Sequence, residues 1–358
     1  MKKRIITLLL SFLLVVPICI SFTACGHKHQ FASEWESDNT HHWHSSTCRH
    51  KDKVYGKAEH DYTNAQLLYY TENDEVYYVR NCIVCGRVSP RQKVSNATVV
   101  KSTESAQEAL DNLSSNKTIY FTDGNYGHLM FKSTVGQILS NITLVGSNNA
   151  NVRFLELSTL QDYAPKNLTI ENLSFVNNDN TLSGGISTQI PVENLTINNC
   201  HFEGNSNVTM GKYSKDITIT NCTFKNIENE NNLSAIVLND SDCVKIISNS
   251  FNGVQYNGIQ TNKLALNSTI KIEENLFTRI NSRFIDCTNE EARGQVNILA
   301  NTFYKTNPES PNYKEDGHYI NSKGTPVSVG VNTWEEVPQL NSVDINGATY
   351  NPNEQKSL

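Results

Sequence analysis

The stretch Asn167–Phe175, with the sequence NLTIENLSF, decides how this chain folds, because close versions of it recur downstream. The copies are NLTINNCHF, DITITNCTF, CVKIISNSF, TIKIEENLF and QVNILANTF, which end at Phe202, Phe224, Phe251, Phe277 and Phe303. Counted from Phe175, successive terminal phenylalanines are therefore 27, 22, 27, 26 and 26 residues apart. A motif that returns at an interval of about 20–50 residues indicates a stacked architecture.

Each copy alternates aliphatic and polar residues, which indicates a short strand with one buried face. The alternating aliphatic pairs are Leu168/Ile170, Leu195/Ile197, Ile217/Ile219, Val244/Ile246, Ile270/Ile272 and Val296/Ile298. A repeat of this length is shorter than the roughly 30 residues of a βαβ unit. It fits a coil of two or three short strands joined by turns, with each coil stacked on the previous one.

An asparagine lies shortly before each terminal phenylalanine, where the chain has to turn. Asn172, Asn199 and Asn221 are three residues before it, and Asn249, Asn275 and Asn301 are two residues before it. Asn tolerates left-handed backbone and bonds to its own chain. We therefore predict an asparagine at the corner of each coil and a ladder of stacked amides.

These phrases resemble the right-handed parallel β-helix of the pectate-lyase-like superfamily, over about residues 98–345. The resemblance implies an all-β solenoid, for which we expect about eight or nine turns, with 141–149 as an early turn and the block near residue 330 as the last. Ser105 and Glu108 have capping-box spacing, which predicts a short helix covering the open N-terminal end of the stack. An antiparallel β-sandwich is the alternative fold, but it predicts no such repeat.

The first 24 residues have the features of an export signal. Lys2, Lys3 and Arg4 precede an apolar run that continues to Phe22, as in secretory signal peptides. The following FTAC resembles the bacterial lipobox, although Phe22 replaces the usual Leu, and the resemblance implies that Cys25 is lipidated. We therefore expect a lipid-anchored, extracytoplasmic protein of the bacterial cell envelope. An ordinary signal peptide cleaved nearby is the alternative.

The predicted organisation is a signal peptide at 1–24, a His/Cys-rich module and linker at 25–97, a β-helix at 98–345 and a C-terminal tail at 346–358. The chain has 30 basic and 36 acidic residues, for a net charge of −6, and no basic stripe. This excludes nucleic acid as a partner. A hydrophobic content of 38% suits a thin, polar-coated solenoid.

Histidine and cysteine are concentrated in the module, where seven of the ten histidines fall between residues 27 and 60. Zinc takes thiolate and imidazole ligands in fours, and favours Cys-x-x-Cys turns. The candidate ligands are His44, Cys48, His50, His60, Cys82 and Cys85. The segment also resembles the zinc-ribbon-like His/Cys-rich modules of bacterial surface proteins.

Two ligand arrangements stay open at this point. In the first arrangement, two of Cys48, His50 and His60 bind one zinc ion together with Cys82 and Cys85. In the second, His44, Cys48, His50 and His60 form one site, and the two remaining cysteines form a second, incomplete site. We predict a structural zinc ion, because a segment this polar cannot form a hydrophobic core and needs a metal ion or another cross-link for stability. The alternative is a disulfide between Cys82 and Cys85.

The superfamily resemblance implies glycans as ligands, but a catalytic site is harder to find. Glycoside hydrolysis needs two facing carboxylates, and the lyases of the superfamily use a basic residue, often with carboxylate-held calcium. Two outward columns follow from the alternation of the first strand: Thr169, Thr196, Thr218, Lys245, Lys271, Asn297, and Glu171, Asn198, Thr220, Ile247, Glu273, Leu299. Neither holds adjacent acids. On another strand, Val237, Gln260 and Asp286 contribute one carboxylate.

One charged patch is a weak catalytic candidate. It comprises Arg279, Arg283, Asp286, Glu290, Glu291 and Arg293, with Asp240 and Asp242 about two turns away. If the patch is active, an arginine would be the base and the acids would hold calcium; otherwise these are surface ion pairs.

The functional prediction is a cell-surface lipoprotein whose β-helix binds extracellular polysaccharide or another surface polymer, without catalysis. The alternative is a polysaccharide lyase or glycoside hydrolase. A third role, as a purely structural stalk, is also consistent with the sequence.

Overall fold

A computed structural model describes residues 28–132, 136–158, 165–179, 182, 184–189, 191–228, 234–264, 267–287, 294–304, 320–321, 327–335, 343–345 and 348–350. They fall into two compact units, one within residues 1–69 and 77–93 and the other within 70–76 and 94–358. In this part of the chain no helix is long and apolar enough to cross a membrane. The predicted signal peptide and Cys25 lie outside it.

The first unit is built from short antiparallel strands. Strands β1 (Glu36–Ser37), β2 (His41–Ser45) and β3 (Val54–Glu59) form one sheet. Strands β4 (Leu67–Glu72), β5 (Glu75–Arg80) and β6 (Gln92–Lys93) form a second. The register of β2 on β3 shifts between His42 and His44, as at a β-bulge, which re-aims the side chains that follow it.

The second unit begins with β7 (Ala97–Val100), helix α1 (Thr103–Asp111), β8 (Thr118–Phe121), β9 (Gly124–Lys132), β10 (Ser140–Gly146) and β11 (Ala150–Ser158). Its regular turns comprise β12 (Lys166–Glu171), β13 (Ser174–Asn177), β14 (Gly184–Thr188), β15 (Glu193–Asn198), β16 (His201–Gly204), β17 (Ser206–Met210), β18 (Lys215–Thr220), β19 (Thr223–Ile227), β20 (Ile236–Ile247), β21 (Ser250–Val254), β22 (Ile259–Leu264), β23 (Thr269–Glu273), β24 (Leu276–Ile280), β25 (Ile285–Asp286), β26 (Gln295–Leu299), β27 (Thr302–Tyr304) and β28 (Ile320–Asn321). The last strands are β29 (Val327–Val329), β30 (Thr333–Glu335), β31 (Val343–Ile345) and β32 (Ala348–Tyr350).

These strands form three parallel ladders, which run from coil to coil. The first ladder contains β8, β10, β12, β15, β18, β20, β23, β26 and β29. The second contains β13, β16, β19, β21, β24, β27 and β30. The third contains β9, β11, β14, β17, β20, β22, β25, β28 and β31. The protein is therefore an all-β parallel β-solenoid, and its right-handedness stays a prediction.

The number of regular turns is smaller than predicted. About six turns carry strands of all three ladders together with the phenylalanine phrase, not eight or nine. The prediction divided the whole of residues 98–345 by the length of the repeat. Several segments do not form such turns. The first coils have one nine-residue strand, β9 or β11, in place of separate strands of the second and third ladders, and the last strands have three residues each.

The predicted columns, by contrast, are present with the predicted alignment. Thr169 pairs with Thr196, Thr196 with Thr218, and Lys245 with Lys271, each directly across the first ladder. In the third ladder, Val237 pairs with Gln260 and Gln260 with Asp286. The six phenylalanines are fully buried and stack, with neighbouring ring centroids 4.6–5.1 Å apart.

The asparagines fall into two structural classes, although the sequence analysis predicted one role for all of them. Asn172, Asn199 and Asn221 lie at a left-handed corner, with φ of 55°, 50° and 54°. In the later turns that corner is taken by Ser248, Glu274 and Ala300, also with positive φ. The second set starts one residue further on and points inwards: Asn249, Asn275, Asn301 and Asn332 are 0–3% exposed and bond to one another in a buried ladder.

The helix before the solenoid starts earlier than predicted. Ser102 is its N-cap and Ser105 completes the capping box, so the predicted pair of Ser105 and Glu108 is wrong. The hydroxyl oxygen of Ser105 accepts a hydrogen bond from the backbone N–H of Ser102 at 3.0 Å. In the predicted capping box, Glu108 would accept the equivalent bond from the backbone N–H of Ser105. Ala106 and Leu110 pack into the core; that the helix closes the end of the stack stays a prediction.

Candidate functional site

A groove of about 760 Å³ runs along the outer face of the first ladder. Its lining includes Thr218, Lys245 and Lys271 of one outward column, and Asn167 and Asn194 of the neighbouring corner. The corner amides are themselves in register, because Asn194 donates to Asn167 at 2.6 Å and Asn167 to Asn141 at 2.8 Å. A linear molecule in this groove would meet the same kinds of polar group about every 4.8 Å, the spacing of neighbouring strands.

One rim of the groove is an alternating row of charges. Lys166, Glu193 and Lys215 are successive partners in the first ladder, and the carboxylate of Glu193 lies 3.0 Å and 3.2 Å from the two ammonium groups. Bonds from Lys166 and Lys215 lower the pKa of Glu193. These three charges are therefore satisfied within the protein.

Lys245 and Lys271 differ from the lysines of the rim. Both are exposed and directly adjacent across the ladder, and neither has an ion-pair partner among the described residues. Like charges placed opposite each other destabilise a sheet. The floor of the groove thus presents two cations without an ion-pair partner next to the hydroxyl of Thr218, which suits an anionic ligand. Glu193 and Asp216 are the two carboxylates in the lining.

Glu171 is a buried carboxylate on the adjoining column. Its side chain is 7% exposed and accepts a bond from Asn198 Nδ2 at 2.8 Å. Burial raises the pKa of Glu171, more than the bond from Asn198 lowers it. The ionised form is therefore less stable in the folded protein than in water.

We expect Glu171→Gln to stabilise the protein in a pH-dependent way. A carboxyl whose pKa is raised on folding loses stability as pH rises through its ordinary value of about 4.3 towards the folded value, and the loss is complete above the folded value. The thermal midpoint of Glu171→Gln should therefore exceed that of the wild type at pH 7 and match it at pH 3. Glu273→Gln, in the same column but more exposed, is the control; an equal gain in that variant would contradict the prediction.

The predicted charged patch is only partly within the described residues. Glu290, Glu291 and Arg293 lie outside them, and Asp240 and Asp242 are in β20. Arg283 forms an ion pair with Asp286, with Nη1 3.2 Å from Oδ2, and Asn321 donates to the other carboxylate oxygen at 3.1 Å. Arg279 donates to Asn252 at 2.8 and 2.9 Å. Both arginines are engaged within the protein, as in the ion-pair reading of this patch.

A hydrogen-bonded histidine and glutamate lie on the third ladder, and the sequence did not predict them. His128 Nε2 lies 3.0 Å from Glu156 Oε2, and Gln189 donates to the other oxygen of this carboxylate. His128 and Glu156 come from β9 and β11, in coils that lack the repeated phrase, and Gln189 follows β14. Outside the repeat, nothing in the sequence indicates that residues so far apart in the chain lie next to each other.

The carboxylates of the third ladder are too far apart to act together on one bond. Glu156 and Asp286 share an outward column but are separated by five strand steps, or about 24 Å at roughly 4.8 Å per step. Paired carboxyl groups in glycoside hydrolases are about 5–9.5 Å apart. This column therefore does not supply a hydrolase pair.

In the first unit, two groups of potential metal ligands converge. His42, His60, Cys82 and Cys85 have their ligand atoms within 4.8 Å of one another, and so do His29, Cys48 and His50. His42 and His29 were not among the predicted ligands. His44 belongs to neither group: its Nδ1 is 3.1 Å from the carbonyl oxygen of Glu34, and its ring centroid is 3.8 Å from that of Trp35.

The alternative disulfide between Cys82 and Cys85 is not formed, because both side chains are free thiols. Cys200 and Cys222 are buried in the solenoid, and burial raises the pKa of Cys200 well above its ordinary value. They fill the inward position that Leu173 occupies one turn earlier.

No protein-family model and no curated protein matches this chain. Among solved structures, it is similar to PfbA, a surface adhesin of Streptococcus pneumoniae, with 15% identity over 67% of this chain and 70% of that chain and a TM-score of 0.51. An alginate lyase from Paenibacillus has 12% identity over 66% and 95% of the two chains and a TM-score of 0.39. A GH136 lacto-N-biosidase from Eubacterium ramulus has 10% identity over 69% and 52%, with a TM-score of 0.42. The similarity to the adhesin supports the solenoid fold alone.

Proposed function

We propose that the protein is an exported bacterial surface lipoprotein, anchored through Cys25, whose solenoid binds an acidic extracellular polysaccharide. The observation that carries the proposal is the uncompensated pair Lys245 and Lys271 on the floor of the groove. The two lysines lie on successive turns, and the column continues beyond them as Thr218, Thr196 and Thr169. This suits a polymer that presents acidic groups and hydroxyls along its length. The lipid anchor and the envelope location rest on the resemblance of residues 22–25 to a lipobox.

Binding rather than cleavage is favoured by what surrounds the two lysines. Their nearest column neighbours are Thr218 on one side and Asn297 on the other, which can donate hydrogen bonds but are poor proton acceptors at neutral pH. A lyase would need a base beside the acidic sugar, and Arg283, the candidate for that role, is tied to Asp286. Lyase activity is therefore the second candidate function, and the binding experiment would also detect it.

The test measures retention and affinity of the full chain on polygalacturonate, alginate and neutral dextran, with calcium present. A hydrogen bond to a charged group contributes about 1.5–3 kcal/mol, so Lys245→Ala and Lys271→Ala should each weaken binding to the acidic polymers about tenfold or more. The double variant should lose about 100-fold or more. Lys225→Ala is the matched control, since this lysine lies on the second ladder, paired with Glu203 at 3.1 Å; its affinity should not change.

The same samples distinguish the alternatives. New ultraviolet absorbance from unsaturated products, lost on removal of calcium and in Arg283→Ala, would establish a lyase and overturn the binding-only proposal. Equal retention on dextran, or equal losses in Lys225→Ala and Lys245→Ala, would overturn the role of the groove. If the chain neither binds nor cleaves any acidic polymer, the groove serves a different partner and the proposal is wrong.

A further inference from the structure

The first unit lacks an apolar core among its described residues. In residues 28–93, which contain β1 to β6, Val76 and Cys82 are the two buried side chains of the apolar group, and the other buried side chains are His29, His42 and Ser46. Burying the imidazole of His42, whose Nδ1 has no hydrogen-bond partner, costs free energy. So polar a unit needs some other source of stability, which in small domains is commonly a metal ion or a disulfide.

Four potential ligands meet where the strands of this unit end. His42 lies in β2, His60 follows β3, and Cys82 and Cys85 lie in the turn after β5. Donor atoms bound tetrahedrally to one zinc ion at about 2.0–2.3 Å are roughly 3.3–3.8 Å from one another. The Sγ of Cys85 and Nδ1 of His60 are 3.4 Å apart, which is within this range.

The turn that carries the two cysteines is fixed by its own backbone. The N–H of Gly86 donates to the carbonyl of Cys82 at 2.9 Å, and the N–H of Cys82 donates to the carbonyl of Arg87 at 2.8 Å. Gly86 has a φ of +74°, a left-handed conformation that glycine adopts without strain. Both thiols are therefore held on the same side of a tight turn before any ion binds.

Each of the two histidines, His42 and His60, has a feature that suits a metal ligand. His60 Nε2 lies 3.0 Å from the backbone carbonyl of Asp38; a carbonyl only accepts, so Nε2 carries the proton and Nδ1 presents its lone pair towards Cys85. An outer hydrogen bond of this kind orients metal-bound histidines. His42 is 3% exposed, and its Nδ1 is buried without a hydrogen-bond partner. A bound metal ion would explain why a polar ring is held there.

We propose that His42, His60, Cys82 and Cys85 bind one structural zinc ion. Two thiolates and two imidazoles are a preferred donor set for tetrahedral zinc. All four positions are filled by protein, so the site has no open position for substrate. The ion would join β2, the end of β3 and the turn after β5, and so replace the missing apolar core.

The first test is the zinc content of the full chain, purified under reducing conditions and dialysed. We expect one tightly bound zinc ion per chain in the wild type and its loss in His42→Ala and Cys85→Ser. The affinity of these variants should fall by at least about 100-fold, since even outer partners of metal ligands are typically worth 10–100-fold. Cys48→Ser, in the neighbouring three-residue group, and Cys243→Ser, an exposed cysteine of the solenoid, should keep the ion.

A second readout does not depend on whether the variants fold. Cobalt(II) titrated into the metal-free wild type should give a tetrahedral spectrum with thiolate-to-metal absorption, displaced by zinc, and chelation should make Cys82 and Cys85 accessible to alkylation. Three results would overturn the proposal: a Cys82–Cys85 disulfide in protein purified without reductant, no thiolate-to-cobalt absorption, or a zinc ion that is lost in Cys48→Ser and kept in Cys85→Ser.

Discussion

Replacing Phe251 with alanine is expected to lower the free energy of unfolding by about 4–5 kcal/mol. The ring is fully buried and lies between Phe224 and Phe277, with centroids 4.8 Å and 4.6 Å away and interplanar angles of 5° and 4°. Truncation of a buried Phe costs about 3–5 kcal/mol, through lost transfer free energy and the cavity left behind. Loss of two aromatic contacts places this variant in the upper part of that range.

The position of Phe251 in the middle of the stack increases the expected effect. In a solenoid each turn is stabilised mainly by its neighbours, so a cavity at this point weakens the interfaces on both sides. Unfolding monitored by chemical denaturation and circular dichroism would measure the change. Phe154→Ala is the matched control, because Phe154 is half-buried on the outside of β11; its cost should be roughly 1 kcal/mol or less. Similar losses in the two variants would show that the phenylalanine stack does not dominate the core.

The alternation of residues 167–175 was enough to predict which side chains share a column. Side chains in a strand alternate between faces, and the repeat fixes the register of each coil on the next. The pairing of Lys245 with Lys271 could therefore be predicted, although no sequence rule indicated that both would lack an acidic partner. Whether Lys215 or Lys245 is neutralised depends on which neighbours the corner of the coil brings close.

The two classes of asparagine could not be separated from sequence. Asn172 and Asn249 differ by one residue in their distance from the phenylalanine, and both residue positions suit a turn. The difference lies in backbone φ, since the corner itself is left-handed and the next residue points inwards. A shift of one residue thus moves an amide from solvent to core.

The four zinc ligands that we propose in the first unit were predicted only in part from the sequence, for a similar reason. His60, Cys82 and Cys85 were on the predicted list, but strand alternation gives no reason to prefer His42 over His44, because both would face the same side of β2. The register shift between them separates their environments, so that His42 joins the cysteines while His44 stacks near Trp35. Bulges of this kind leave no clear trace in a single sequence.

Replacing Asn275 with leucine is expected to destabilise the protein by about 3–6 kcal/mol, although the two side chains are similar in size. The amide of Asn275 donates to the carbonyls of Ile246 and Glu273 at 2.8 and 2.9 Å, and its oxygen accepts from the backbone N–H of Asn249 at 2.9 Å. It also bonds to the amides of the turns before and after it. Leucine would leave several of these buried groups unsatisfied, at about 1–3 kcal/mol each.

The inward position itself accepts apolar side chains, since Leu173 and Cys200 occupy it in earlier turns, so steric exclusion of leucine does not explain the expected loss. The cost comes from interrupting a ladder in which each side-chain oxygen also accepts a hydrogen bond from the backbone N–H one turn earlier. Asn249→Leu should therefore cost less than Asn275→Leu, because Asn249 ends the ladder and accepts only from Cys222 N–H. Asn297→Ala, on the outer face of the same region, should change the free energy of unfolding by roughly 0.5 kcal/mol or less. If denaturation gave equal losses for Asn249→Leu and Asn275→Leu, the ladder would contribute no more than its separate bonds, and its continuity would not be what stabilises these turns.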